Sequence, residues 1–244
     1  MNARAYMIVN ADDFGMSHPV NAGIAESHDR GIVTSASLLV FGKAAAAAAA
    51  LAAKRPRLGL GLHIDLGEWM WDGQSWCTVY QRVPTEDTAA VAREIERQVR
   101  EFRRLVGRDP SHLDSHQNVH LEEPVRSVVL GTARGIEIPV RACTPGVRHV
   151  GAFHGRTGTG ERLPGKVGVE ALLRIVAGVR AGITEIGCHP GSEPGDERGY
   201  SAERVVEAHT LCTQRVRSFI DRRRITLCNF DHPEVRQWVS LRTA

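Results

Sequence analysis

Short apolar runs alternate with longer segments of helical character along the whole chain, the pattern of βα units that feed a parallel sheet. The first run, residues 6–11, is followed by a predicted helix over 19–30, with Pro19 at its start and Gly31 just past its end. Strands are predicted over 33–41, 58–64, 112–115, 137–143, 184–188 and 225–230. Helices are predicted over 43–54, 86–106, 123–134, 168–181, 202–212 and 214–223. The alanine run 44–50 reads as strong helix propensity on a face packed closely against a sheet. Within 58–65 the alternation is strict: Leu58, Leu60 and Leu62 share one face, and Gly59, Gly61, His63 and Asp65 the other, where the glycines leave room for something to approach. Two stretches break the rhythm. Residues 65–85 form a long connection carrying Trp69, Trp71, Trp76 and Tyr80, either a platform for a sugar ring or a cluster packed over a rim. Residues 144–165, rich in Gly, Arg and His, read as a flexible flap, and 189–199 is rich in glycine and proline.

About seven βα-like units in 244 residues, with no break in composition, predict one domain over 1–244. The fold class expected is α/β, a single-domain, deformed or incomplete (β/α) TIM-like barrel rather than an open doubly wound sheet. Neither G-x-G-x-x-G after the first strand nor a P-loop motif occurs, so nucleotide folds find no support. With 31 Lys and Arg against 28 Asp and Glu, a formal charge of +3 argues against electrostatic clamping of nucleic acid. No apolar run approaches a membrane span, and the short apolar stretch after Arg4 is too brief for a signal-peptide core. Five scattered cysteines without a C-x-x-C pair predict reduced thiols and a cytoplasmic location.

The candidate chemistry sits at strand ends. Asp12 and Asp13 in N-A-D-D-F-G are adjacent carboxylates that would repel in a poorly solvated pocket, and a divalent cation is one reason for them; an exposed helix-capping turn is the other. His63 ends the third strand. The segment H-L-D-S-H-Q-N-V-H packs His112, Asp114, His116 and His120 into nine residues, a density hard to explain as core packing, with Asp114 available to stand behind a ligating histidine. Asp13, His63 and His116 follow one another at intervals of about fifty residues, roughly two βα units, which brings all three to the carboxyl edge of a parallel sheet. One carboxylate and two imidazoles suit a metal that activates water and polarises a carbonyl. Cys188 and His189, as strand neighbours, point to opposite faces and make no nucleophilic pair; Asp114-Ser115-His116 makes no triad for a similar reason.

N-A-D-D-F-G near the start, G-L-H at the third strand, H-L-D-S-H-Q-N-V-H at the fourth and C-H-P-G late together resemble the YdjC-like carbohydrate deacetylases, the family of the chito-oligosaccharide deacetylase. The resemblance runs from Tyr6 to Phe230. It implies a deformed (β/α) barrel that binds one divalent metal ion, Mg or Zn, and removes acetyl groups from N-acetylated sugars. Carried over by position, Asp13, His63 and His116 would ligate the metal, Asp12 would be the general base and His189 the general acid. His120 would line the pocket, and Arg141 would hold Asp12 ionised or contact the substrate, a rim salt bridge being its alternative. Many members have histidine where this chain has Asn118, a departure that bears on the polar lining of the pocket. A lipid-linked or hopanoid-type glycoside, or a non-catalytic sugar-binding role, are the competing expectations. Homodimer formation stays open.

Overall fold

The computed structural model describes residues 4–193 and 200–240. Its sheet is centred on β1 (Ala5–Phe14), buried from Met7 onward, where Met7, Ile8 and Val9 are apolar on consecutive positions rather than alternating ones. β1 pairs in parallel with β2 (Ser35–Leu38) along its second half and with β8 (Gly182–Cys188) along most of its length. Outward from β2 come β3 (Gly59–Ile64) and β6 (Leu113–Ser115); outward from β8 comes β7 (Val147–Val150), giving the order β6-β3-β2-β1-β8-β7. The short β9 (Ile225–Leu227) lies beside Ala5–Met7 of β1. Every pairing in this sheet is parallel. Among the described residues no pairing joins β7 to β6, so the sheet curls as a half-barrel, the incomplete barrel expected.

The helices α1 (His18–Asp29), α2 (Ala45–Ala53), α3 (Thr88–Val106), α4 (Val125–Gly135), α5 (Val169–Ala177), α6 (Ser201–Cys212), α7 (Gln214–Arg222) and α8 (Pro233–Ser240) follow the strands. Their ends have local causes. Ser17 and Asp87 accept backbone N–H groups at the starts of α1 and α3, and Gly107, at φ 78°, closes α3 in the left-handed conformation that glycine adopts at no steric cost. None of these helices is long and apolar enough to cross a membrane.

Three segments differ from expectation. Residues 65–85 are an antiparallel hairpin, β4 (Gly67–Trp71) and β5 (Trp76–Gln81), turning where Asp72 accepts the N–H groups of Gln74 and Ser75 and Gly73 takes φ 107°. The strand expected over 137–143 shrinks to one bridge between Leu113 and Val140, because Glu137 and Ala142 both turn into the left-handed region. The expected flap carries β7, which is paired to β8, and buries Phe153. The Gly/Pro-rich stretch 189–199 lies partly outside the described residues. The room beside Gly61 is filled by the protein itself, since a Cβ there would meet the His112 ring at 2.3 Å.

Candidate functional site

The carboxyl edge of the sheet gathers the candidate residues. The ladder between β1 and β2 slips between Ala11 and Phe14, and Asp13 lies at φ 65°. A bulge of this kind re-aims side chains, and it explains how adjacent residues, which a regular strand would send to opposite faces, reach one cleft. Asp13 Oδ1 lies 3.4 Å from His63 Nε2 and 3.4 Å from His116 Nδ1. The three form a group that could hold a metal ion. Asp13 Oδ2 accepts a hydrogen bond from Arg204 at 2.7 Å, while Oδ1 is buried with no hydrogen-bond partner.

His63 sits at the end of β3, and its Nδ1 donates to Asp114 Oδ1 at 2.8 Å, which turns Nε2 toward Asp13. His116 opens a 3₁₀ turn, His116–Leu121, in which Gln117 and Asn118 take φ of 53° and 55°. The exposed Asn118 is a residue type that tolerates this conformation. The Gln117 amide donates to the Trp69 carbonyl and accepts the Trp69 N–H, so the hairpin braces the turn that carries His116.

Asp12 occupies the other side of the cleft. Both of its oxygens accept from Arg141, at 2.6 and 2.7 Å, and Arg141 also donates to Glu185 at 2.6 Å and lies 3.1 Å from Asp114 Oδ2. Burial pushes the Asp12 carboxyl up, but the Arg141 guanidinium outweighs it and holds Asp12 below the ordinary carboxylate range. His189 follows β8 with its Nε2 3.7 Å from Asp12 Oδ2 and its backbone N–H donating to Glu207. Its Nδ1 is buried without a partner, and burial pushes the ring down to about 3. The His189 ring meets His154 and Tyr200 edge-on, at 5.1 and 5.6 Å, and the Tyr200 hydroxyl donates to Glu207, which burial pushes up to about 7.

The charges fit a cation. Asp12, Asp13, Asp114 and Glu185 are buried here against the two guanidiniums of Arg141 and Arg204, leaving an excess of buried negative charge. His63 reports the same field: burial would lower it, yet the Asp114 charge and hydrogen bond carry it up to about 10. An orphaned carboxylate oxygen aimed at two imidazole nitrogens is the donor set a divalent ion requires.

Two expected substrate contacts are not on the surface. His120 is fully buried. Its Nε2 donates to the Arg141 carbonyl, its Nδ1 accepts from Ser115, and burial holds it neutral at about 4, so it props the turn from behind instead of lining the pocket. Arg141 is 2 % exposed with its guanidinium spent on carboxylates, which corrects the expectation of substrate contact in favour of holding Asp12. His112 is also interior, stacked on Phe230 at 3.8 Å. The density of histidines in this segment is therefore partly core packing after all. Cys188 donates to the Asn10 carbonyl, and burial pushes its thiol well up, so it offers no thiolate. Sequence reasoning missed Arg204, Tyr200 and His154; each comes from a distant helix or loop with no motif around it.

A family model described as YdjC-like protein matches residues 6–222. The chain is 35% identical over 153 residues to a chitooligosaccharide deacetylase of Klebsiella pneumoniae (strain 342), a match covering 55% of this chain and 58% of that protein, less than two thirds of its length. It is 32% identical over 258 residues to a carbohydrate deacetylase of Brevibacillus brevis (strain 47), covering 92% of this chain and 98% of that one. A solved structure from Enterococcus faecalis V583, named for a proposed cleavage of cellobiose phosphate, superposes with a TM-score of 0.77 at 26% identity, over 94% of this chain and 98% of that chain. With a family match spanning most of its length, this chain belongs to the YdjC-like protein family.

Proposed function

We propose that the cleft hydrolyses the acetamide of an N-acetylated sugar, with one divalent metal ion, Mg or Zn, held by Asp13, His63 and His116. The observation that carries this reading is the unpartnered Asp13 Oδ1 between two imidazole nitrogens, one residue away from a carboxylate locked in its ionised form. A bound ion would supply Lewis acidity, lowering the pKa of a water and polarising a carbonyl. The remaining work falls to the chain. Asp12, kept ionised by Arg141, takes the proton of the attacking water. An amide nitrogen leaves poorly as an anion, so it must be protonated as it departs. His189 stands 3.7 Å from Asp12, neutral at rest, and is placed to receive that proton and pass it to the nitrogen, giving acetate and a free amine. The names of the Klebsiella and Brevibacillus relatives support a carbohydrate as the acetylated partner.

Phosphoester cleavage is disfavoured by charge. A phosphate needs free cationic clamps, whereas Arg141 and Arg204 are both buried against carboxylates and the cleft is anionic. The test is acetate release from N-acetylated sugars, short chitin oligomers included, by protein stripped of metal and resupplied with magnesium, zinc, manganese or cobalt. Metal-dependent acetate release is the expected result. A metal-loaded protein that releases acetate from none of them would overturn the reading and favour a lipid-linked acyl substrate or a non-catalytic role.

A further inference from the structure

The metal reading of the preceding section assigns Asp13 as a ligand but leaves open how many of its oxygens serve. Arg204, on α6, is 4 % exposed and donates through an Nη2 proton to Asp13 Oδ2 at 2.7 Å, with Met16 Sδ 3.5 Å away. The same guanidinium donates through Nη1 to the His189 carbonyl at 3.3 Å. The Arg204 carbonyl accepts the N–H of Gly191, and a Cβ on Gly191 would meet the Arg204 Cβ at 3.1 Å, so the turn after β8 is packed directly on this residue. One side chain therefore grips the carboxylate that faces His63 and His116 and the segment that carries the acid candidate His189.

We infer that Arg204 is a positioning residue: it withholds Asp13 Oδ2 from the metal, so that Asp13 offers one oxygen, and it fixes that oxygen relative to His189. The inference rests on the metal reading. A carboxylate free to offer both oxygens would fill a coordination position that water or a substrate carbonyl needs. Arg204 thus favours reactivity over tightness of metal binding. A residue serving folding alone would show the opposite signature, with metal affinity and thermal stability lost together.

The experiment uses metal-stripped full-length protein as wild type, Arg204→Met, Arg204→Gln and Arg204→Lys. Each is titrated with Co(II), reading affinity and the visible absorption band, whose intensity falls as the coordination number rises. Acetate release and thermal melting are read in parallel. The expected result is that Arg204→Met binds Co(II) at least as tightly as wild type with a weaker visible band, while turnover falls about 10–100-fold. Arg204→Lys, which keeps a charge and a donor, moves the band back toward wild type. Arg204→Gln replaces Arg204→Met should the latter not fold. A folded Arg204→Met or Arg204→Gln with an unchanged band, or failure of both to fold, overturns the inference. Wild type that binds no Co(II) overturns it together with the metal reading, whereas wild type that binds Co(II) beside unshifted variants overturns the inference alone.

Discussion

The mouth of the cleft and the floor beneath it use the same residue types to opposite ends. In the floor, Asn10, Ser37, His112, Asp114, His120 and Arg141 leave no buried side-chain nitrogen or oxygen without a partner. Ser37 donates to Asp114 and accepts from Asn10; it also accepts from His112 Nε2, whose Nδ1 takes the Ser111 proton. In the mouth, Asp13 Oδ1 and His189 Nδ1 are buried and unpartnered, and His63, His116 and His189 aim ring nitrogens at carboxylates too far for good hydrogen bonds. Unsatisfied buried polar groups cost free energy, a cost that a ligand seated in the cleft would offset at the mouth. The contrast teaches that a histidine or aspartate in this protein is assigned by what its spare atoms face, since residue type and neighbourhood in sequence are shared by both layers.

The largest expected effect separates the layers directly. Asp12→Asn removes the mouth's proton acceptor while leaving the ligand trio intact, so turnover should fall about 10²–10⁴-fold with metal content unchanged. Steady-state acetate release and metal analysis on the same preparation check this, and a variant within tenfold of wild type would remove Asp12 from the base role. Next comes the floor. Arg141→Met strips the shared cation from Asp12, Asp114 and Glu185, and denaturant unfolding of metal-free protein should show a loss of about 3–5 kcal/mol. Stability equal to wild type would mean that the three carboxylates do not depend on Arg141.

Much of the mouth was legible in the chain and much of the floor was not. Asp13, His63 and His116 fall at strand ends, and parallel topology alone carries strand ends to one edge. The bulge at Asp13 was invisible, because a positive φ at an aspartate leaves no mark on hydrophobic spacing. His112 and His120 share a segment with His116, yet their rings turn inward, a choice made by Phe230 and by the Arg141 carbonyl from far along the chain. Arg204 reaches Asp13 across 191 positions from a helix that buries Glu203, Arg204 and Glu207 and exposes Val206, the reverse of what hydrophobic spacing predicts. The hairpin, by contrast, was readable: Asp72-Gly73 between aromatic runs is a turn signal that the length of the connection obscured.

The floor's histidines give a sharper test through pH. His112 and His120 are each held at about 4 by burial, against 6.5 for an unfolded histidine. Between those values the unfolded chain binds the extra proton, so each fully shifted ring loses roughly 3 kcal/mol as pH drops from about 6.5 to about 4; His189, held at about 3, acts in the same direction, Glu207, raised to about 7, acts in the opposite one, and the balance is a fall in stability. His63, raised to about 10, acts elsewhere: its contribution is complete below 6.5 and is lost as pH climbs through 10. Denaturant titrations of metal-free protein from pH 7 to 4.5 check this. A flat profile would show that the floor histidines are not held neutral by their burial.

The smallest effect tests whether the layers communicate. Asp114 belongs to the floor, where Ser37 donates to its Oδ2 and Arg141 lies 3.1 Å away, yet its Oδ1 takes the His63 proton and so aims a ring in the mouth. Asp114→Asn keeps the shape and replaces one acceptor oxygen by an NH₂ group. If that group faces Ser37 and Arg141, donor meets donor; if it faces His63, the proton that fixes the ring loses its acceptor. Either arrangement loosens His63, and metal affinity should weaken about 10–100-fold while Asp13 and His116 stay in place. A metal titration that leaves affinity unchanged would show that the mouth holds its geometry unaided, and the two layers would then be neighbours with no coupling between them.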